Sequence, residues 1–188
     1  MIYISSIAVI GETESSAENP IRPDFPCHPK RNYGIAKLRC EDEVAKNCNS
    51  YWIVRPTNIV DGIESGILSE MNRAFLSGAS YPLYNATKDK LRDYIAVEDV
   101  IDSIYNLALH PELLAEDERI IILGSGHSYS FQEVVDLFRE KIEPSFQVEI
   151  TNPDKAIAAV DIVVDALQTR KLLCREPKTL QEIIVGIR

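Results

Sequence analysis

Residues 33–54 read YGIAKLRCEDEVAKNCNSYWIV. Ile35, Leu38, Val44 and Ala45 supply part of an apolar face at helical spacing, which predicts a helix from Tyr33 to about Asn47. Tyr51-Trp52-Ile53-Val54 follows as a short aromatic and β-branched run, the mark of a strand. A helix feeding a strand is one half of an alternating α/β pattern, and the alternation continues on both sides. Upstream, Met1-Ile2-Tyr3-Ile4-Ser5-Ser6 reads as a strand. Its continuous apolar character predicts a buried strand of a parallel sheet rather than an edge. Between it and the helix, Pro20, Pro23, Pro26 and Pro29 predict an irregular loop from Gly11 to Lys30.

Downstream, Ile67 to Leu76 is predicted as a helix, followed by a polar loop through Asp93. Val97 to Leu109 carries Val100, Ile101, Ile104, Leu107 and Ala108 at helical spacing, with Pro111 just past its end. Arg119 to Leu123 is an apolar strand stopped by Gly124. Ser130-Phe131-Gln132-Glu133 is a capping-box pattern opening a helix to about Lys141. Phe146 to Ile150 alternates like a strand, and Thr179-Leu180-Gln181-Glu182 is a second capping box. Strands alternating with helices predict an α/β fold with a mostly parallel sheet.

The composition narrows the function classes. With 188 residues, the chain makes one sizeable domain or two small ones. Lys plus Arg number 20 and Asp plus Glu 29, a net charge of -9, which argues against nucleic acid or an anionic membrane as a non-specific partner. No apolar run approaches the roughly 18–20 residues of a membrane span, and no basic-then-apolar leader is seen, so the expected location is cytoplasmic. Cys27, Cys40, Cys48 and Cys174 form no CxxC pair, and His28, His110 and His127 do not join them at zinc-ligand spacing. Reduced thiols and no metal site are expected.

Five segments could carry chemistry. Tyr33 and Lys37 stand four apart and share one helix face. An ammonium beside a phenol favours the phenolate, which suits the tyrosine to acid/base work. The spacing alone is weak, because Tyr84 and Lys88 repeat it and ordinary helix-surface residues show it too. Ser5-Ser6 and Arg55-Pro56-Thr57-Asn58 end apolar strands, where α/β proteins place ligands; a serine there equally caps a turn. Arg92 offers a fork of donors for a phosphate, or a surface ion pair with Asp89 or Asp93. Gly124-Ser125-Gly126 could cradle an anion, although three residues make no P-loop and a structural turn is the simpler reading.

Taken in order, these segments resemble the extended short-chain dehydrogenase/reductase family, the NAD-dependent sugar epimerase/dehydratase group. The matching pieces are Tyr3-Ile4-Ser5-Ser6-Ile7-Ala8-Val9-Ile10-Gly11, Tyr33-Gly34-Ile35-Ala36-Lys37, Arg55-Pro56-Thr57-Asn58-Ile59-Val60-Asp61-Gly62 and Arg92-Asp93-Tyr94-Ile95-Ala96-Val97-Glu98-Asp99-Val100. Gly124-Ser125-Gly126-His127-Ser128-Tyr129-Ser130 continues the pattern, which ends near Pro177-Lys178-Thr179. The resemblance implies a partial Rossmann-like parallel sheet with a small α/β substrate-binding lobe. Residues 1–60 would hold the later part of the Rossmann-like domain with the catalytic helix, and 61–188 mainly the lobe, with 92–124 returning to the sheet. It implies that Ser6, Tyr33 and Lys37 are catalytic: Ser6 binds the reacting sugar oxygen, Tyr33 is the acid/base, and Lys37 holds the nicotinamide ribose. Ser5, Pro56 and Thr57 would lie with Tyr33 and Lys37 near the cofactor, NAD or NADP. Ser6, Asn58 and Arg92 would hold a nucleotide-sugar substrate. A homodimer through the Tyr33–Asn47 helix is expected of the intact protein.

The departures sharpen these expectations. Ile10 stands where the family usually has tyrosine, and Ala158 and Ala159 where many members carry an arginine before Asp161. Ile7 and Ala8 replace the Asp-Glu pair of the dehydratase branch, which favours epimerisation or reduction over dehydration. No glycine-rich turn follows the first strand, so the pyrophosphate has no helix N-terminus to bind there. Four strand–helix units of roughly 25–30 residues precede this serine in the family, so on the order of 100 residues are expected to be missing. NAD binding by this chain alone is then expected to be weak or absent. The alternative function is a stand-alone binding module without enzymatic activity.

Overall fold

The computed structural model describes residues 1–152 and 160–186. Ala158 and Ala159, the departures noted above, lie outside the described residues. In chain order the elements are β1 (Ile2–Ile4), a 3-10 turn (Ile7–Val9), α1 (Asn32–Asn47), β2 (Trp52–Pro56) and β3 (Asn58–Val60). There follow α2 (Gly66–Leu76), β4 (Tyr81–Tyr84), β5 (Leu91–Ala96), α3 (Val97–Leu109) and β6 (Ile120–Leu123). The last are β7 (Ser128–Ser130), α4 (Phe131–Lys141), β8 (Val148–Thr151), α5 (Leu167–Leu173) and α6 (Leu180–Val185).

β1, β2 and β6 form a parallel sheet in that order, with Tyr3 opposite Ile53 and Val54 opposite Ile121. Alternation along β6 explains its run of four aliphatic residues. Ile121 and Leu123 pack with Val100 and Leu107 of α3 and Leu172 of α5. Ile122 faces the other way, against Ile7, Val9, Ile10 and Ile21. A strand covered on both faces must be apolar at every position, which is the parallel-sheet signature. The second sheet joins β3 to β5 in parallel, Asn58 opposite Tyr94, and β5 to β7 antiparallel, Arg92 opposite Tyr129. The third pairs β4 with β8 in parallel. Its neighbours α2, α4 and α6 close a separate core around Leu68, Phe138 and Phe146, whose two rings lie 4.7 Å apart. This α/β arrangement with parallel sheets is the predicted class.

Both capping boxes form. Ser130 and Glu133 bond reciprocally at the start of α4, and Thr179 and Glu182 at the start of α6. The predicted α3 matches its observed bounds.

Two expectations change, and two elements come without a sequence signal. β1 is parallel but stands at the sheet edge, with Met1 56% and Ile4 38% exposed. It has the composition of an inner strand, yet among the described residues only β2 pairs with it. The polar stretch through Asp93 contains β4 and the first half of β5. Pro82 breaks the strand pattern of β4, and Arg92 and Asp93 break that of β5. β3 is a strand of only three residues. α5 carries no sequence signal at either end: Ala166 gives no side-chain cap, and Cys174, not glycine, takes the left-handed position at φ +54°.

Candidate active site

The site begins where β1 ends. Ser6 takes an extended conformation and caps the 3-10 turn, its Oγ accepting from the Ala8 N–H at 3.2 Å. The hydroxyl still has its own proton to donate. Ser5 turns inward: it is buried, and its Oγ donates to Glu41 at 2.5 Å. α1 then passes close above the turn. A Cβ on Gly34 would lie 2.4 Å from the Ala8 carbonyl oxygen, so only glycine permits the approach.

Tyr33, Lys37 and Glu41 follow one another at four-residue spacing along α1 and so form one stripe. Tyr33 is 58% exposed. Lys37 Nζ donates to the Ile4 carbonyl at 2.9 Å and lies 5.9 Å from the Tyr33 ring centre and 5.3 Å from that of Tyr3. Glu41 is buried and takes a two-pronged bond from Arg55, Nε at 3.0 Å and Nη2 at 2.6 Å.

A cavity of about 370 Å³ opens beside Tyr33, with Ala8, Gly34, Asn58 and Arg92 in its walls. Among the described residues, Lys30, Arg31 and Arg92 bring three cations to it, against the single carboxylate of Glu12, which pairs with Lys30. In a chain of net charge -9 this is a local reversal of sign, suited to an anionic ligand. Arg92 makes neither of the ion pairs considered for it. Its Nη1 donates to the carbonyls of Leu91 and Val160, and the guanidinium lies 5.5 Å from the Phe131 ring centre. Burial pulls its pKa below the ordinary arginine value. Asp89 pairs instead with Lys88.

Asp93 lies beneath this wall, fully buried. Its carboxylate accepts from Thr57 Oγ1 at 2.7 Å, from the N–H groups of Ser125 and Gly126 at 2.9 and 2.8 Å, and from Ser125 Oγ at 3.0 Å. Its carbonyl accepts from the Asn58 side chain at 2.7 Å. The Gly124-Ser125-Gly126 turn does cradle an anion, and the anion is the protein's own aspartate. Burial outweighs these donors and pushes the Asp93 carboxyl up to about 6.

The structure therefore gathers Tyr33, Asn58 and Arg92 at one cavity, with Ser6 beside its Ile7–Ala8 wall and Lys37 one helical turn from Tyr33. Ser5, Pro56 and Thr57, expected near the cofactor, lie behind this surface. All three are buried, and the hydroxyls of Ser5 and Thr57 are committed to Glu41 and Asp93. The sequence reading passed over Glu41, Asp93, Lys30 and Arg31. A signal existed for the first: Arg55 directly follows the apolar Trp52-Ile53-Val54, and an arginine inside a buried strand requires a carboxylate partner.

Comparison with known proteins bears on the fold and the family. The sequence model of the NAD dependent epimerase/dehydratase family matches residues 1–124. A UDP-glucose 4-epimerase of Corynebacterium glutamicum is 24% identical over 161 residues, 74% of this chain and 47% of that protein. The fold is shared with a UDP-N-acetylglucosamine 4-epimerase from Methanobrevibacter ruminantium M1 in complex with UDP-N-acetylmuramic acid. Its TM-score is 0.78 at 18% identity, covering 99% of this chain and 61% of that one. The NAD-dependent NDP-hexosamine 5,6-dehydratase TunA gives a TM-score of 0.77 at 21% identity, with 99% and 61% covered. The chain spans about half the length of the curated relative it matches. Motifs, fold and family match converge: the chain belongs to the NAD-dependent epimerase/dehydratase family.

Proposed function

We propose that this chain carries the proton-handling and substrate-holding half of a nucleotide-sugar 4-epimerase. The observation that carries the reading is Tyr33 on the rim of a cation-lined cavity, with Lys37 one helical turn behind it. Asn58 and Arg92 are the proposed holders of the substrate diphosphate, and the Ser6 hydroxyl the donor to the reacting sugar oxygen. Of the residues proposed for the nicotinamide end of the cofactor, Tyr33 and Lys37 reach the surface, while Ser5, Pro56 and Thr57 are buried. The glycine turn at 124–126 offers the pyrophosphate end no cradle, since Ser125 and Gly126 spend their N–H groups on Asp93 and Gly124 spends its own on Thr169 Oγ1. Weak binding of NAD or NADP by this chain alone follows.

NAD, when bound, supplies the hydride acceptor. The chain's own part is the proton. Tyr33 Oη would take it from the sugar hydroxyl as the carbonyl forms and return it when the carbonyl is reduced on its other face. Lys37 places positive charge where the phenolate develops. Ile7 and Ala8, in place of an acidic pair beside Ser6, favour epimerisation over dehydration. A reductase of the same family is the second reading, since it uses the same tyrosine and lysine. We place the protein in the cytoplasm; among the described residues no helix is long and apolar enough to cross a membrane.

The test is Tyr33→Phe in an enzyme that joins this chain to an NAD-binding unit. Turnover of a nucleotide-hexose at C4 should fall by at least about 100-fold with cofactor binding unchanged. Equal turnover in both proteins would refute the role.

A further inference from the structure

Glu41 touches neither the cavity nor Tyr33, yet its surroundings are unusual for a helix residue. It is 3% exposed, and so is the arginine it pairs with. Its carboxylate accepts three hydrogen bonds, from Ser5 Oγ, Arg55 Nε and Arg55 Nη2. Ser5 directly follows β1 and Arg55 lies in β2, so one carboxylate on α1 grips two neighbouring strands. The residue before Ser5 receives the Lys37 ammonium at its carbonyl. Two successive residues of the chain thus hold two successive turns of the Tyr33–Lys37–Glu41 stripe.

A buried ion pair contributes little net stability, because desolvating both charges offsets their attraction. Here the geometry is incomplete as well: among the described residues Arg55 Nη1 is buried with no hydrogen bond of ordinary geometry, although the Cys27 thiol interacts with the same guanidinium. Apolar side chains of similar size would hold the fold equally well. What they would not do is fix an angle. α1 is sixteen residues long, but Val44 is its one buried apolar side chain, with Ile35 and Leu38 half-buried. Such thin apolar packing leaves rotation about the helix axis weakly determined. The charged grip determines it.

We infer that Glu41 is a positioning residue: with Arg55 and Ser5 it sets the rotation and height of α1 over β1 and β2, and thereby where Tyr33 and Lys37 stand. The inference rests on the proposed roles of those two residues, but its test does not pass through activity.

The readout is the Lys37 side chain. Its ammonium lies within 6 Å of the Tyr3 ring, on β1, and of the Tyr33 ring, on α1 itself. In the wild-type chain the Lys37 ε-methylene protons should give nuclear Overhauser contacts to both rings. The double substitution Glu41→Leu with Arg55→Met removes the pair without stranding a charge. Glu41→Asp keeps the charge balance but shortens the arm by one methylene. Both variants should lose the Lys37–Tyr3 contact, across the helix–strand boundary, and retain the Lys37–Tyr33 contact within α1. Cooperative melting should persist. If the double variant does not fold, the same contact in Glu41→Asp decides. Retention of the Lys37–Tyr3 contact in a folded variant would overturn the inference and leave Glu41 a stability residue only. Failure of the catalytic reading is a separate result: Tyr33→Phe would keep full turnover while these contacts stayed as they are.

Discussion

Asp93 joins three segments that lie far apart in the sequence: the β2–β3 junction at Thr57, its own strand and the turn at Ser125 and Gly126. Asparagine in its place would turn an NH2 toward the N–H groups that now point at a carboxylate oxygen. We expect Asp93→Asn to lower stability by about 2–4 kcal/mol, read from denaturant midpoints, because the donors are buried and would go unpaired. The raised carboxyl also has a pH consequence. Its folded value of about 6 exceeds the 3.8 of an unperturbed aspartate, so the folded protein holds this proton more firmly. This group therefore favours folding increasingly as pH falls from about 6 to 4, and that contribution is lost as pH rises through 6. The 13Cγ resonance of Asp93 should titrate near 6; a midpoint near 4 would remove the claim. Glu18, Glu112, Glu143 and Glu182, whose carboxyls are lowered by hydrogen bonds, run in the opposite direction.

At the scale of the element, legibility depends on how local the determinants are. The bounds of α3 and α4 were readable because periodicity and caps act within a few residues. Ser130→Ala breaks one half of a capping box and should cost about 1 kcal/mol, measured by thermal unfolding. β4 and β5 were not readable, because their partners are distant and their polar residues serve other tasks: Arg92 turns toward the cavity and Asp93 inward. The site divides in the same way. Tyr33, Lys37, Asn58 and Arg92 belong to short motifs, which marks them as candidates in the sequence. Asp93 carries no such mark for its buried role, since its partners lie 32 to 36 residues away, and Glu41 is signalled only through Arg55, 14 residues on. Ser5 and Thr57 sit beside functional positions in sequence, but side-chain direction, which sequence order does not carry, buries them.

The whole molecule sets an acidic surface against one cationic cavity, and an apolar sheet edge against solvent. Ile4 lies at that edge, and Ile101, Tyr105 and Leu109 expose a stripe at four-residue spacing on α3. Such surfaces associate. Sedimentation of this chain should show concentration-dependent self-association that Ile4→Lys weakens; a monomer at every concentration would contradict the expectation.

The central claim is that the cavity beside Tyr33 receives the phosphorylated end of a nucleotide sugar. Titration of the chain with UDP, followed by amide and side-chain resonances, tests it most directly. The account predicts that Ala8, Gly34 and the Asn58 side-chain amide shift together along one binding curve. Arg92→Lys, which loses the two-pronged fork, should weaken that curve about tenfold, or about 1.4 kcal/mol. Shifts elsewhere, no shifts at all, or an affinity indifferent to Arg92 would contradict it.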